Sequence, residues 1–162
     1  MGNTKSRNIV VFITSIIICE LAGVIGAVFT ASSVPTWYAS LNKPFITPPS
    51  EVFGPAWTTL YFLMGLSAFL VWRLGWKVKG VKIALSFFII QLILNALWTF
   101  IFFGLKSPLY AFIEIIVLWI SIVLTIIFFF KLSRSAGILL IPYILWVSFA
   151  AFLNFLLWRL NS

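Results

Sequence analysis

The chain has 162 residues, of which 63% are hydrophobic and 9% are charged, with a net charge of +8. A soluble domain is about one quarter charged, and a disordered chain is poor in apolar residues, so the composition excludes both classes. The remaining class is an integral membrane protein. The length allows one compact membrane domain, residues 1–162, without an appended soluble domain. Eight tryptophans are the unusual part of this composition.

The residues that the chain lacks exclude several kinds of chemistry. It has no histidine, one cysteine (Cys19) and three acidic side chains. Zinc, haem-ligating and iron–sulfur sites need His or several Cys ligands, and serine–histidine catalysis needs an imidazole. We therefore expect no metal site and no required cofactor.

Five apolar stretches are long enough to cross a bilayer, which takes about 20 residues of helix. They lack the alternation of apolar and polar residues that is typical of barrel strands. The sequence therefore predicts an all-α integral membrane protein, a bundle of five transmembrane helices. The predicted helices cover residues 9–30, 52–74, 83–105, 108–130 and 136–158.

The longest predicted connection, residues 31–51, separates the first two helices. It contains Pro35, Pro44, Pro48 and Pro49, and Pro55 follows just beyond it. Proline breaks helices, so this segment is predicted to be a long irregular loop. Long loops in compact proteins are often functional. We interpret this one as a lid.

Basic residues in the connections predict the orientation, because cytoplasmic loops are enriched in Lys and Arg. One side carries eight of them and the other carries three. The first group is Lys5, Arg7, Arg73, Lys77, Lys79, Lys82, Lys131 and Arg134, and the second is Lys43, Lys106 and Arg159. This predicts an amino terminus inside and a carboxyl terminus outside.

With no transit-peptide pattern before the first helix, we expect a multi-pass protein of a prokaryotic plasma membrane. A nucleic-acid partner would need a basic face on a soluble domain, and we expect none.

The tryptophans divide by predicted depth. Trp72, Trp76 and Trp158 lie at helix ends, where amphipathic indoles are common. Others lie deeper or in the outer loop, and polar and aromatic side chains share their helix faces, because residues three and four apart lie together. These faces carry Trp57 and Tyr61; Gln91, Asn95, Trp98 and Thr99; Tyr110 and Glu114; Tyr143, Trp146, Ala150 and Asn154.

This pattern predicts an aromatic pocket in the outer half, with Trp37 and Pro44 in the loop above it. Polar groups inside a membrane face the bundle interior or a cavity. The alternative is that Gln91 and Asn95 join helices by hydrogen bonds of about 1 kcal/mol. Two acids, Glu20 and Glu114, lie within predicted membrane spans. Three roles stay open for them: a protonated side chain, a partner of a backbone group, or part of a proton path.

The motifs resemble those of a known family. The loop reads Trp37-Tyr38-Ala39-Ser40-Leu41-Asn42-Lys43-Pro44, followed by Thr47-Pro48-Pro49. The second helix contains Gly54-Pro55-Ala56-Trp57-Thr58-Thr59-Leu60-Tyr61, and the third contains Leu94-Asn95 and Trp98. The last contains Pro142-Tyr143, Trp146, Phe149-Ala150 and Leu153-Asn154. Together these resemble the TspO/MBR family, the tryptophan-rich sensory proteins and the mitochondrial translocator (peripheral benzodiazepine receptor) proteins.

The resemblance implies a five-helix membrane protein, often a homodimer in membrane lipid, that binds tetrapyrroles such as protoporphyrin IX. It also implies binding of synthetic isoquinoline and benzodiazepine-type ligands. The resemblance implies ligand contacts at Trp57, Asn95, Trp146 and Ala150, covered by the loop around Trp37 and Pro44, and places Glu114 where the family commonly has an acid. The shared helix faces add Tyr61, Trp98 and Tyr143 to these candidate ligand contacts. Some members break down protoporphyrin in light, and Trp57 and Trp146 match the tryptophans implicated there, so they are the candidate catalytic residues.

The sequence departs from the family pattern at two positions. Ile46 stands where the family loop often has Trp, so the lid is less aromatic. Phe155 stands where the sterol motif of animal members has Tyr, which lowers the expectation of sterol binding. A porphyrin-binding sensor or carrier is the main hypothesis. The alternatives are a light- and oxygen-dependent porphyrin-degrading enzyme and, less favoured for lack of an internal repeat, a small-molecule transporter.

Overall fold

The structure is a computed structural model that describes residues 2–162, and those residues form helices and short connections without a strand. Helix α1 covers Gly2–Ser33 and continues into a π turn, Val34–Tyr38; α2 covers Ser50–Trp72; α3 covers Val81–Thr99 and continues into a second π turn, Phe100–Gly104. Helix α4 covers Pro108–Leu132, α5 covers Arg134–Leu139 and α6 covers Ile141–Leu160.

Five of these helical segments are long and apolar enough to cross a membrane: Thr4–Tyr38, Ser50–Trp72, Val81–Gly104, Pro108–Leu132 and Arg134–Leu160. The predicted all-α bundle of five spans is thereby confirmed. The last four segments begin and end within two residues of the predicted bounds. The fifth is made of α5 and α6 together, since a turn at Leu140, two residues before Pro142, interrupts it.

The prediction of an irregular loop over residues 31–51 is wrong for the first half of that segment. Helical structure continues from α1 to Ser40, and the irregular connection covers only residues 41–49. Pro35 does not end the helix because it lies in the π turn, a wider turn that α-helices use to absorb such a disturbance. The Thr36 hydroxyl donates to the Ser32 carbonyl at 2.7 Å, which gives that carbonyl a partner inside the disturbed turn.

The helices pack in an order that leaves α1, α2, α3 and α6 around one space. Helix α1 contacts α2 and α3, and α4 lies between α3 and α6. Ring stacking of Phe87 on Phe128 (5.0 Å) and Phe88 on Phe129 (5.7 Å) joins α3 to α4. The Trp119 indole donates to the Ser148 hydroxyl at 2.8 Å, which joins α4 to α6.

The connection 41–49 is tied to the end of α6. The Asn42 amide N–H donates to the Asn161 side-chain oxygen at 2.9 Å, and the Asn161 side-chain nitrogen donates back to the Asn42 carbonyl at 3.0 Å. We call this end of the bundle the loop end. The paired bonds fix where the connection runs over the space between the helices.

Candidate functional site

A cavity of about 550 Å³ lies between α1, α2, α3 and α6 at the loop end. Its lining is predominantly apolar and rich in rings. The aromatic side chains that line it are Tyr38, Phe53, Trp57, Tyr61, Trp98, Phe102, Phe103, Trp146 and Phe149. Ligand sites are typically concave, mostly apolar and about 300–1,000 Å³ in volume, so this cavity has the size and character of a binding site.

The cavity exists because α1 and α2 touch only along part of their length. A Cβ atom added at Gly65 would lie 2.9 Å from the Ile16 Cα, so the two backbones are in close contact there. At Gly23 the Tyr61 ring fills the space, at 2.7 Å from an added Cβ. An added Cβ at Gly54 would meet nothing within 4 Å. Small residues thus bring the helices together away from the loop end, and the helices leave a gap beside Gly54.

Two tryptophans stand at right angles on one side of the cavity. The Trp57 ring stacks on Tyr61, with centroids 5.6 Å apart and planes at 29°. The Trp146 ring lies edge-on to Trp57, at 6.4 Å and 87°. Phe53 and Phe149 contact Trp146 at 6.2 and 5.9 Å. The packed rings fix the orientation of both indoles, which is the arrangement that a flat aromatic ligand needs for stacking or edge contact.

Trp98 belongs to the α3 side of the cavity and has a satisfied indole N–H. That N–H donates to the Asn154 side-chain oxygen at 3.1 Å, and the Asn154 nitrogen donates to the Pro108 carbonyl at 2.8 Å. Its ring stacks on Phe102 at 5.3 Å. Because its polar group is paired, Trp98 contributes apolar ring surface to the cavity.

A chain of hydrogen bonds runs beneath the cavity through the bundle interior. The Tyr61 hydroxyl donates to the Asn95 oxygen, the Asn95 nitrogen donates to the Tyr143 hydroxyl at 3.1 Å, and that hydroxyl donates to the Gln91 oxygen at 2.9 Å. All four side chains are buried. The chain connects α2, α3 and α6 and holds Tyr61, and therefore the stacked Trp57, in place.

The structure brings five of the ten predicted ligand contacts into the cavity lining: Trp57, Tyr61, Trp98, Trp146 and Ala150. Asn95 and Tyr143 are not in the lining, because they lie in the hydrogen-bond chain beneath it. They occupy the helix-joining position that was the alternative for Asn95 and Gln91. As ligand contacts they stay predictions.

The other three predicted contacts also lie apart from this cavity. Trp37 packs edge-on against Phe102 at 5.5 Å, behind the cavity lining. Pro44 lines a separate, smaller cavity under the connection 41–49. Glu114 is buried, and neither carboxyl oxygen has a hydrogen-bond partner. A direct role for these three in ligand binding stays a prediction.

Sequence reasoning missed the contribution of α1. Ten residues of this helix and its π turn line the cavity, among them Glu20, Gly23, Gly26 and Tyr38. The residue types that indicate a pocket are tryptophans and amides within the spans, and the amides of α1, Asn3 and Asn8, stand only near its start. Its glycines and alanines at four-residue spacing were the available signal, since such spacing marks a helix face where neighbours come close.

Within the part of the chain that the structure describes, no three acidic or cysteine side chains group as a metal site.

Fold and cavity together define a class, a multi-pass helical membrane protein with an aromatic cavity at one end of the bundle. The particular family follows from comparison with known sequences. The family model described as the TspO/MBR family matches residues 15–159. This chain belongs to the TspO/MBR family, as its motifs indicate.

Individual relatives cover nearly the whole chain. It is 46% identical to the tryptophan-rich protein TspO of Archaeoglobus fulgidus over 156 residues, which is 96% of this chain and 99% of that protein. It is 37% identical to the protein CrtK of Rhodobacter capsulatus, over 95% of this chain and 94% of that one. Identity to the translocator protein of Homo sapiens is 36%, over 85% and 82%. Bacterial, archaeal and animal members are thus all similar to it.

Proposed function

We propose that this protein binds tetrapyrroles of the protoporphyrin IX type in the cavity at the loop end and acts as a sensor or carrier for them. The observation that carries the proposal is the pair of perpendicular indoles, Trp57 and Trp146, facing a cavity of about 550 Å³. A flat ring system can stack on one indole and meet the edge of the other, and both contacts are favourable for aromatic rings.

The chemistry of the lining and the family membership support the same class of ligand. An apolar aromatic cavity within a membrane protein takes up a large planar hydrophobic molecule from lipid or from water. Relatives carry the names tryptophan-rich sensory protein and translocator protein, which fit a sensor or a carrier. Synthetic isoquinoline and benzodiazepine-type ligands are aromatic as well, and we propose that they compete for this cavity. A homodimer in the lipid bilayer is the form in which we expect the protein to act.

Quenching of tryptophan fluorescence by protoporphyrin IX tests this proposal on the purified protein in lipid nanodiscs. We expect saturable binding, and a loss of affinity of about tenfold in each of Trp57→Ala and Trp146→Ala, because a stacked ring contributes about 0.5–1.5 kcal/mol beyond its buried area. Trp76→Ala is the matched control, since Trp76 lies at the opposite end and is 53% exposed. Equal affinity in all three variants would remove this cavity as the site.

A second candidate function is light- and oxygen-dependent breakdown of the bound porphyrin. Three oxidisable rings in a row support it: the Tyr61 ring lies 5.6 Å from the Trp57 ring, and the Trp57 ring lies 6.4 Å from the Trp146 ring. An indole beside a photoexcited porphyrin can donate an electron, and dioxygen supplies the oxidant. Illumination of the complex with and without oxygen tests it. We expect Trp146→Phe to slow porphyrin loss while binding persists; equal loss in protein-free nanodiscs would refute catalysis.

A further inference from the structure

A second, smaller cavity adjoins the first under the connection 41–49. Its volume is about 430 Å³, and it is lined by the end of the first span and by the proline-rich connection. Val34, Tyr38 and Ser50 line both cavities, so the two share one boundary. The second cavity differs from the first in chemistry, because it contains a charged side chain, Lys43.

The Lys43 ammonium lies directly beside this boundary. Its Nζ atom is 5.0 Å from the centroid of the Tyr38 ring, and Tyr38 lines both cavities. The ammonium donates to the Ala39 carbonyl at 3.0 Å and reaches the Leu41 carbonyl only at 3.5 Å. An ammonium has three N–H donors and both of these acceptors are neutral, so positive charge and donor capacity remain for an anion.

The charges around both cavities make Lys43 distinctive. Among the described residues that line either cavity it is the single cation. Lys106 and Arg159, the other basic residues at the loop end, line neither. The acid in the lining is Glu20 of α1, which belongs to the first cavity alone. An anionic group therefore finds favourable charge only at the Lys43 side.

We propose that Lys43 forms a subsite for a carboxylate of the ligand whose ring system occupies the larger cavity. The ligand class is then a planar aromatic acid with its carboxylates along one edge, such as a porphyrin with its two propionates together. The subsite determines both specificity and the direction in which the ligand lies, with its acid edge toward the connection 41–49. The paired bonds between Asn42 and Asn161 hold the neighbouring backbone in place for this role. This inference rests on the proposed function of the larger cavity.

Protoporphyrin IX and its dimethyl ester test the subsite, since they share one ring system and differ in their carboxylates. Affinities are measured in nanodiscs of neutral phosphatidylcholine for the unaltered protein, Lys43→Gln, Lys43→Arg and the matched control Lys106→Gln. We expect Lys43→Gln to bind the diacid about two- to fivefold more weakly, the range for an exposed charged contact, and to bind the ester unchanged. Lys43→Arg should keep most of the affinity for the diacid, and Lys106→Gln should keep all of it. Added salt should weaken binding of the diacid to the unaltered protein but not binding of the ester.

The outcomes separate the subsite from the larger site. If Lys43→Gln weakens the diacid and the ester equally, or weakens neither, the subsite is refuted while porphyrin binding stands. If neither porphyrin binds the unaltered protein, the proposed function fails, and the subsite fails with it. A loss in Lys106→Gln equal to that in Lys43→Gln would show that general surface charge, and no local contact, attracts the diacid.

Discussion

At the scale of single residues, Asn95 is the link on which the cavity depends. Its side-chain oxygen accepts from the Tyr61 hydroxyl and its side-chain nitrogen donates to the Tyr143 hydroxyl, so both polar atoms of the amide have a partner. Asn95 is 1% exposed, so lost bonds cannot be replaced by solvent. Removal of the amide leaves two buried hydroxyl groups without this partner, and a buried polar group without a partner destabilises a protein by about 1–3 kcal/mol.

We therefore predict that Asn95→Leu lowers the melting temperature and weakens ligand binding, because the Tyr61 ring loses the bond that orients it under Trp57. Thermal unfolding in detergent is measured with a thiol-reactive dye, since Cys19 is the single cysteine and is fully buried. Ser86→Ala is the control, as Ser86 is exposed and bonds only to the Lys82 carbonyl of its own helix. An Asn95→Leu protein as stable as the control would contradict a structural role for the chain of bonds.

The sequence alone identifies some residues of this cavity and not others. Trp57 and Trp146 were predictable because an indole away from the helix ends needs an explanation other than the membrane interface. Phe53 and Phe149 were not, since 18 phenylalanines give the same signal throughout the chain. Helical spacing also placed Asn95 on the face of Trp98. It could not show whether the amide reaches the cavity or a neighbouring helix, because that depends on the distance between helices.

At the scale of helices, glycines set those distances. The Ile16 Cα and the Ser15 carbonyl lie 2.9 and 3.1 Å from a Cβ added at Gly65, and backbone atoms cannot turn aside as a side chain can. At Gly26 the nearest atom is the Thr99 methyl group, at 3.3 Å. Both glycines are buried in helices, so they differ chiefly in what the new methyl group would meet.

We predict that Gly65→Ala destabilises the protein by about 1–3 kcal/mol, the usual effect of overpacking, and that this exceeds the gain in helix propensity of about 1 kcal/mol. The separation of α1 from α2 should also expose Cys19 to the dye at lower temperature. Gly26→Ala is the matched comparison and should lose clearly less, because the atoms nearest to its new methyl group belong to the Thr99 side chain and lie at 3.3 Å or more. Equal melting temperatures would show that the α1–α2 contact is looser than described.

The helix bounds follow from composition except where backbone geometry overrides it. Four spans were predictable to within two residues because their apolar runs end in charged or polar connections. The end of the first was not, since Pro35 normally stops a helix. The helix continues through Pro35 as a π turn, and the residues of Val34–Tyr38 contain no sequence pattern that predicts such a turn. The same π turn brings Tyr38 to the boundary of both cavities, so the missed feature belongs to the site.

At the scale of the whole molecule, the structure supports the grouping of charges on which the predicted orientation rests. The Arg7 side chain donates to the Arg73 carbonyl at 3.2 Å, which places the amino-terminal end of α1 beside the α2–α3 connection. Leu132 lies 3.6 Å from a Cβ added at Gly80, so the end of α4 is there too. The connection 41–49 meets Asn161 at the opposite end. The eight basic residues and the three thus belong to opposite ends of the bundle.

The predicted orientation assigns the eight-residue end to the cytoplasm and the loop end, with its cavity, to the outside. Fusion of reporters in a bacterial host checks it. Alkaline phosphatase joined after Ser162 should be active and green fluorescent protein should be dark there, because phosphatase folds only outside and this fluorophore forms only inside. After Lys77, in the α2–α3 connection, the pattern should reverse. The inverse result would mean that basic residues do not set the topology of this chain, and Lys43 would then attract ligand carboxylates from the cytoplasmic side.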